Sequence, residues 1–231
     1  MTAGFDAQIH PEARGQGIEQ QVVDWIIGLA RAAPYCERLI ADPGIYEEDT
    51  ALIRALEQRG FHAIGGSSIL CRSLEMPLPY PPVPSGLTIR PIRPDEIAAR
   101  AQAHRTVFAP SRVGDHDYAR LVRMPGYETQ LDLAAVTLKG EISAFALGWM
   151  DSENGVGEFE PVGTRPNFRR GGLAGAVMVE GMRRMKARGA ASVFVGPIDR
   201  DEAGAFAFYE NLGMTRACSL LSFARENSAR N

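Results

Sequence analysis

The sequence is poor in cysteine, and its few cysteines form no motif. Cys36, Cys71 and Cys218 are the only three among 231 residues, and their separations do not match the short spacings of structural zinc sites. An odd, dispersed set also argues against a disulfide framework, which small secreted chains build from even numbers of cysteines. We therefore expect reduced, buried thiols and no metal site.

Long hydrophobic runs and an excess of positive charge are also missing. The most apolar segment, residues 22–30, is short and contains Asp24, which excludes a membrane-spanning helix there. The chain has 25 basic and 28 acidic residues, whereas a nucleic-acid-binding surface needs an excess of cations to neutralise phosphates. No export signal is recognisable at the N-terminus. The composition predicts a cytoplasmic protein whose partners are neither membranes nor nucleic acids.

The sequence does contain a glycine-rich stretch at residues 164–175. Before it, residues 156–164 are typical of a strand, and after it apolar residues recur at the spacing of an amphipathic helix that ends near Gly189. The spaced residues are Met178, Met182 and Met185. A glycine-rich turn at a helix start offers free N–H groups at the positive end of the helix dipole, which favours phosphate binding. The spacing fits neither a P-loop nor a dinucleotide-binding fingerprint.

Two motifs resemble the GNAT superfamily of N-acetyltransferases. Residues 169–174 read Arg-x-x-Gly-x-Ala, similar to its pyrophosphate-binding signature, although an ordinary strand-to-helix loop can produce the same pattern. A strand at 192–196 and a helix at 202–212 are predicted next. Residues 205–214 read Ala-x-x-x-Tyr-x-x-x-Gly-Met, similar to the block that closes the coenzyme site in that superfamily, with Met214 where the family has phenylalanine.

The predicted element order over residues 86–225 is also the GNAT order, β-α-α-β-β-β-α-β-α-β, which implies a mixed α/β sheet flanked by helices. The early elements are predicted at 87–92, 95–108, 115–126, 131–138 and 142–150. Asp95 is the expected N-cap of the first helix. After the last helix the sequence has room for one strand, 215–224, where the family has two.

The beginning of the chain repeats this later pattern. Residues 8–19 match residues 163–174 at an offset of about 155, and residues 56–61 match residues 209–214 at an offset of about 153. Because both copies are short of a final strand, we expect that the copies complete one another's sheets, or that two chains do so in a homodimer.

The early copy differs where the chemistry would need a match. Glu19 replaces the small Ala174, so that its carboxylate would repel pyrophosphate, and Leu56 replaces Tyr209. We therefore interpret the early copy as a truncated, degenerate GNAT half-module that binds no coenzyme. The expected division is a half-module at 1–74, a proline-rich linker at 75–85 and a complete catalytic GNAT domain at 86–231.

The resemblance implies two sets of coenzyme-binding residues. The loop would bind the pyrophosphate through backbone N–H groups and two arginine side chains, in the set Arg169, Arg170, Gly171, Gly172, Ala174 and Gly175. The preceding strand, which the family separates from its neighbour, would hold the pantetheine arm and the thioester carbonyl with backbone groups of Val162, Gly163 and Thr164. Pro161 independently indicates a bulge or an unpaired edge in this strand.

The catalytic candidates are two carboxylates and a tyrosine. Glu158 and Glu160 face the same side of one strand, and their proximity is expected to raise one pKa towards neutrality, as a general base requires. The resemblance favours Glu158, Glu160 is the alternative, and an acidic surface that only attracts a cationic substrate is a third possibility. Tyr209 matches the family's thiolate-protonating tyrosine, or else it packs helix against sheet. Residues that could line the acceptor pocket, or belong to the core or surface, are His104, His116, Tyr118 and Trp149.

The function implied by the resemblance is transfer of an acetyl group from acetyl-CoA, or another acyl group from its acyl-CoA, to a primary amine. The amine is expected on a small metabolite, with direct attack in a ternary complex. The layout is most similar to the duplicated GNAT proteins that include mycothiol synthase. A non-catalytic acyl-CoA-binding sensor or scaffold is the alternative.

Overall fold

The computed structural model describes residues 1–33, 35–42, 44–79 and 82–227. They form two compact units. The first unit contains Met1–Leu70, Gly196–Ala207 and the described chain from Arg216 onwards, and the second contains Cys71–Val195 and Phe208–Thr215. The first unit therefore combines early and late parts of the sequence, whereas the second consists mainly of the middle of the chain. Residues 80 and 81 of the predicted proline-rich linker lie outside the described residues.

The described residues among the first 73 form four strands and two α-helices. These are β1 (Thr2–Phe5), α1 (Ile18–Ala32), β2 (Arg38–Ala41), β3 (Ile45–Tyr46), α2 (Thr50–Glu57) and β4 (His62–Ser73). The described residues of the later part form six strands and four α-helices. These are β5 (Leu87–Pro91), α3 (Ile97–Val107), α4 (Asp115–Leu121), β6 (Asp132–Thr137), β7 (Ile142–Asp151), β8 (Val156–Thr164), α5 (Leu173–Ala187), β9 (Ser192–Asp199), α6 (Ala203–Asn211) and β10 (Thr215–Glu226).

The sheet of the second unit has the strand order β5-β6-β7-β8-β9. The pairs from β5 to β8 are antiparallel, and β9 joins β8 in parallel. A parallel neighbour needs a crossover connection, which α5 supplies. The mixed α/β fold class predicted from the sequence is confirmed.

Helix α5 packs on this sheet through methionines and glycines. Met178, Met182 and Met185 are completely buried, as their spacing predicts. A Cβ on Gly181 would lie 2.6 Å from the Cε1 atom of Phe159, and a Cβ on Gly157 would lie 2.5 Å from the sulfur of Met185. The absent side chains therefore let helix and strand approach closely, which fixes β8 and the loop that follows it.

The first unit has a sheet with the order β1-β2-β10-β4, and β3 also pairs with β10. Strand β10 is antiparallel to both β2 and β3. Residues of α1, α2 and β10 form its core, including Val23, Ile27, Leu52, Leu56 and Phe223. The last strand of the sequence thus completes the sheet begun by the first residues. The expectation that the copies complete one another's sheets is confirmed for this strand, within one chain.

Several local predictions need correction. Asp95 does not cap α3; instead Glu96 accepts a hydrogen bond from the Arg93 N–H at 2.9 Å and pairs with Arg90. Helix α4 ends at Leu121 and not near residue 126 as predicted, and the residues between them form turns. The three cysteines are half-buried rather than buried.

Two kinds of feature are absent from the described residues. No helix among them is long and apolar enough to cross a membrane. No group of three or more histidine, cysteine, aspartate or glutamate side chains within the same ranges is placed to hold a metal ion.

The packing of α5 predicts opposite effects for two helical glycines. Gly181→Ala should lower the free energy of unfolding by about 1–3 kcal/mol, since Phe159 must move to admit the methyl group. Gly28→Ala in α1 is the control, because its Cβ would meet no atom within 4 Å; it should raise stability by about 0.5–1 kcal/mol. Urea unfolding followed by circular dichroism measures both. Equal effects of the two substitutions would contradict the packing.

Candidate active site

The glycine-rich loop has the backbone geometry of an anion-binding turn. After β8 the chain makes a 3₁₀ turn, Pro166–Phe168, and then enters α5. Arg170 and Gly172 both have left-handed conformations, with φ of 65° and 72°, which is uncommon for a non-glycine residue such as Arg170. The first N–H groups of α5 have no partner within the helix. The loop therefore presents backbone donors beside a positive dipole end.

The surroundings of this loop leave space for a bulky anion. Arg169 to Gly172 are exposed. A Cβ on Gly172 would meet no atom within 4 Å. The Nε atom of Arg169 donates to the Thr164 carbonyl at 3.3 Å, which ties the loop to the end of β8. Arg169 therefore has a structural contact in addition to its predicted role towards phosphate.

Strand β8 separates from β9 where the sequence predicted an irregularity. The two strands pair from Val156 to Glu158, whereas β8 continues along β7 as far as Thr164. A register shift places Glu160 and Pro161 together opposite Leu147, which is the two-against-one pattern of a β-bulge. The predicted bulge at Pro161 is confirmed.

The alternation of backbone hydrogen bonds along β8 determines which of its predicted N–H donors face away from β7. Arg165 donates its N–H to the Ser143 carbonyl of the β7 side at 2.9 Å. Because successive N–H groups along a strand point to opposite edges, Gly163 also faces β7, and Val162 and Thr164 face away from it. Two of the three predicted residues therefore direct N–H groups towards the open side of β8.

Gly163 directs no N–H group to the open side of β8. Its missing side chain instead leaves space for close packing. A Cβ there would lie 2.7 Å from the ring of Phe145 and 2.8 Å from a methyl group of Val107. Glycine thus allows α3 and β7 to pack closely against the separated part of β8.

The two predicted carboxylates lie on the face of β8 opposite α5. Phe159 between them is buried against α5, so Glu158 and Glu160 point to the other face. Trp149 is the cross-strand partner of Glu158, and its indole N–H donates to the Glu160 carbonyl at 2.9 Å. The structure therefore brings Trp149 and the two carboxylates together.

Both carboxyl groups have raised pKa values. Neighbouring protein atoms desolvate them, and this raises the pKa of Glu158 and of Glu160 above the usual range although both residues retain solvent access. For Glu160 the negative charge of Glu158 raises the pKa further. Raised values bring a carboxylate closer to the basicity that proton removal from an ammonium group requires.

A buried polar cluster near this face was not predicted. Asp132 is completely buried and accepts hydrogen bonds from the Tyr118 hydroxyl, from the Tyr127 hydroxyl at 3.0 Å and from Arg100 Nε at 3.2 Å. The guanidinium of Arg100 lies 3.7 Å from the centre of the Phe145 ring. In the sequence, the sign of this cluster is that Arg100 and Asp132 are charged residues on otherwise apolar faces of a helix and a strand.

The acceptor-pocket candidates have different environments. Tyr118 belongs to the core through its bond to Asp132, and His116 is exposed on α4. His104 is half-buried, its Nδ1 lies 3.2 Å from the Ser111 hydroxyl, and burial together with nearby arginines lowers its pKa. The lowered pKa favours the neutral form of the His104 imidazole.

Tyr209 lies near the end of α6, and that end packs on the start of α5. A Cβ on Gly175 would lie 3.4 Å from a methyl group of Leu212 and 3.8 Å from the ring of Phe208. The Met214 N–H donates to the Tyr209 carbonyl at 3.1 Å, and Gly213 has a φ of 77°, which is a Schellman ending. The helix that carries Tyr209 is thus placed beside the glycine-rich loop.

The matching loop in the first unit is filled by its own side chain. Gly15 and Gly17 have φ values of 74° and 85°, like Arg170 and Gly172 in the later loop. The carboxylate of Glu19 accepts from the Gly15 N–H at 2.5 Å, and this bond with other backbone donors lowers its pKa. Only 1% of Glu19 is exposed. A protein carboxylate therefore takes the donors of this loop.

The family assignment follows from a match to a known protein family. Residues 101–214 match the Acetyltransferase (GNAT) family, and this part of the chain is a GNAT acetyltransferase domain. The bulged strand, the glycine-rich loop and the tyrosine-bearing helix all fall within it. Such domains transfer acyl groups between an acyl-CoA and an amine.

Relatives of known name are acetyltransferases. The chain is 26% identical over 236 residues to the mycothiol acetyltransferase of Salinispora arenicola, a match that covers 96% of this chain and 73% of the relative. It is 25% identical over 225 residues to the enzyme of that name from Salinispora tropica, covering 92% and 70%.

Solved structures extend the likeness to the whole described fold. A GCN5-related N-acetyltransferase from Sphaerobacter thermophilus matches with a TM-score of 0.79 and 24% identity, over 98% of this chain and 73% of that one. A tandem GNAT protein from the clavulanic acid biosynthesis pathway matches with a TM-score of 0.76 and 16% identity, over 100% and 76%. At these identities the likeness is one of fold.

The raised pKa of Glu160 predicts a pH-dependent stability effect. A carboxyl group whose folded pKa exceeds its unfolded pKa stabilises the folded state below the unfolded value and loses that contribution as pH rises through the folded value. Glu160→Gln should therefore raise the unfolding midpoint at pH 7.5, and this gain should disappear near pH 4. Thermal unfolding at both pH values measures it. The control is Glu153→Gln in the exposed turn between β7 and β8; a gain at pH 4 as large as at pH 7.5 would contradict the prediction.

Proposed function

We propose that this protein transfers the acetyl group of acetyl-CoA to a primary amine on a small metabolite. The observation that carries the proposal is the separation of β8 from β9 after Glu158, beside a loop of exposed backbone donors. A strand opened in this way leaves donors for a thioester-bearing arm, and the loop suits a pyrophosphate. Direct attack in a ternary complex needs both substrates at this one place.

The proposed coenzyme site uses the loop and the open edge of β8. Backbone donors from Gly171 to Gly175 bind the pyrophosphate, helped by the cationic side chains of Arg169 and Arg170. The N–H groups of Val162 and Thr164 hold the arm and polarise the thioester carbonyl. A donor that stabilises developing negative charge is typically worth about 3 kcal/mol of barrier.

Proton removal from the amine is assigned to the carboxylates of β8. Glu158 or Glu160 accepts the proton through a water molecule, and the raised pKa of each is what this role requires. Their shared negative charge also attracts an ammonium group. Trp149 stands next to both and is proposed to form one wall of the acceptor site.

Proton delivery to the leaving group is assigned to Tyr209. As the amine nitrogen bonds to the carbonyl carbon, the carbon–sulfur bond breaks, and the hydroxyl of Tyr209 donates a proton to the departing sulfur. An ammonium group loses two protons. The carboxylate takes the first before attack, and the second leaves the attacking nitrogen as the carbon–sulfur bond breaks and replaces the proton that Tyr209 gives to sulfur. The products are an amide and a free thiol, Tyr209 is neutral again, and the carboxylic acid releases its proton to solvent.

The first copy of the motif is proposed to have no coenzyme site. Its loop donors are occupied by Glu19, and Leu56 stands at the position that matches Tyr209. We further propose that the chain divides into a half-module at 1–74, a linker at 75–85 and a catalytic domain at 86–231.

Calorimetric titration with acetyl-CoA tests the coenzyme site. We expect one site per chain. Ala174→Glu should abolish binding, since it introduces at the start of α5 the residue that fills the first loop, whereas the matched control Ala174→Ser should bind normally. Two sites in the unmodified chain would contradict the assignment of a single working loop, and no binding at all would remove the enzyme proposal.

Substitution of Tyr209 tests catalysis. Tyr209→Phe should lower kcat with an amine panel by about 10²–10⁴-fold, the usual contribution of a general acid, and leave acetyl-CoA affinity unchanged. Tyr46→Phe in β3 is the control and should retain full turnover. A chain that binds acetyl-CoA but acetylates no amine before substitution would instead fit an acyl-CoA sensor.

A further inference from the structure

Strand β4, which ends the proposed half-module at residues 1–74, reaches the helix that carries Tyr209. Arg72, near the end of β4, donates from its guanidinium to the Leu212 carbonyl, and to the Pro77 carbonyl at 2.6 Å. Arg72 and the end of α6 both belong to the second unit. An arginine from the half without a coenzyme site thus holds the end of the catalytic helix.

The contact between Arg72 and the Leu212 carbonyl stabilises the helix end in two ways. The last carbonyl groups of a helix have no partner within it, and a cation there interacts favourably with the negative end of the helix dipole. Gly213 next to Leu212 has a φ of 77°, and a Cβ on it would overlap the Arg72 guanidinium. The absence of a side chain at 213 therefore admits the arginine.

The turn that Arg72 holds is bonded directly to Tyr209. The N–H groups of Leu212 and Met214 donate to the Tyr209 carbonyl at 3.0 and 3.1 Å. A displacement of the Leu212 carbonyl would therefore move the backbone of Tyr209. Misplacement of a reacting group by about 1 Å can cost about 10²-fold in rate.

The first unit contains a counterpart of this arrangement. Gly60, after α2, has a φ of 81°, and a Cβ there would lie 3.9 Å from Arg225 Nε of β10. The guanidinium of Arg225 lies 6.0 Å from the centre of the Phe61 ring. Leu56 in α2 matches Tyr209 in α6, so Arg225 lies beside the end of a helix that carries no tyrosine at this position.

We propose that Arg72 is a positioning residue for Tyr209, acting through the last turn of α6. The inference rests on the proposed function, since it assigns Tyr209 a role in turnover. It gives the proposed half-module at residues 1–74 a task in the active site, namely to supply the side chain that fixes the end of the catalytic helix.

The kinetic test compares Arg72→Met with Arg225→Met. Arg72→Met should lower kcat by about 10–100-fold and change the Kd for acetyl-CoA less than about twofold, because the loop residues are untouched. Arg72→Lys should restore part of kcat, since it keeps the cation. Arg225→Met should keep full kcat even where it costs similar thermal stability. An equal loss of kcat in the two methionine variants would overturn the inference.

A double substitution separates positioning from general loosening. In a Tyr209→Phe background, Arg72→Met should cause no further loss of kcat, because the group that Arg72 positions is already gone. A further loss of the same 10–100-fold size would show that Arg72 acts on something other than Tyr209, and would overturn the proposal.

Hydrogen exchange keeps the test independent of turnover. Arg72→Met should speed amide exchange at Gly213 and Met214 and leave Gly60 and Phe61 unchanged, and Arg225→Met should do the reverse. Unchanged exchange at Gly213 and Met214 would overturn the inference even in an active enzyme. Absence of turnover in the unmodified chain, with the expected exchange pattern, would instead place the failure in the proposed function.

Discussion

The site depends on one break in backbone pairing, where β8 leaves β9 after Glu158. Backbone N–H groups are normally paired within a sheet, and leaving them without partners is costly when they are buried. Here the bulge at Glu160 and Pro161 opens the strand while β7 continues to hold its other edge. The close packing of Gly157 and Gly181 fixes the strand against α5. A rigid frame thus surrounds a short edge of β8 at which the N–H groups of Val162 and Thr164 face away from β7.

The local elements of the fold could be predicted, because their signals lie close together in the sequence. The methionine spacing predicted α5, Pro161 predicted the bulge, and the glycines predicted the loop that precedes α5. The contacts of Arg100 with Asp132, and of Arg72 with Leu212, could not be predicted. They join residues 32 and 140 positions apart, and no local pattern encodes such pairs. The direction of the Gly163 N–H also depended on knowing which residue of β7 lies opposite.

The two loops have similar backbone shapes, and the residue at one matching position determines whether their N–H donors are occupied. Glu19 fills the donors of the first loop with a carboxylate of the protein itself, and Ala174 leaves the second loop open. The left-handed residues, the 3₁₀ turn and an arginine contact to the carbonyl five residues earlier recur in both loops, so the first loop has the same backbone shape with an internal carboxylate bound. From the sequence we expected the Glu19 carboxylate to repel pyrophosphate; in the structure this carboxylate occupies the N–H donors of the loop.

The pairing of β10 with β2 and β3 has a consequence for synthesis of the chain. The ribosome makes β3 roughly 170 residues before β10, and at about 5–20 residues per second this delay is on the order of 10 seconds or more. During that interval the early strands have an open edge, and apolar residues such as Leu52 and Ile45 lack the cover that Phe223 later provides. The nascent chain therefore exposes an apolar surface and an open strand edge until β10 has been made, and such surfaces favour aggregation during synthesis.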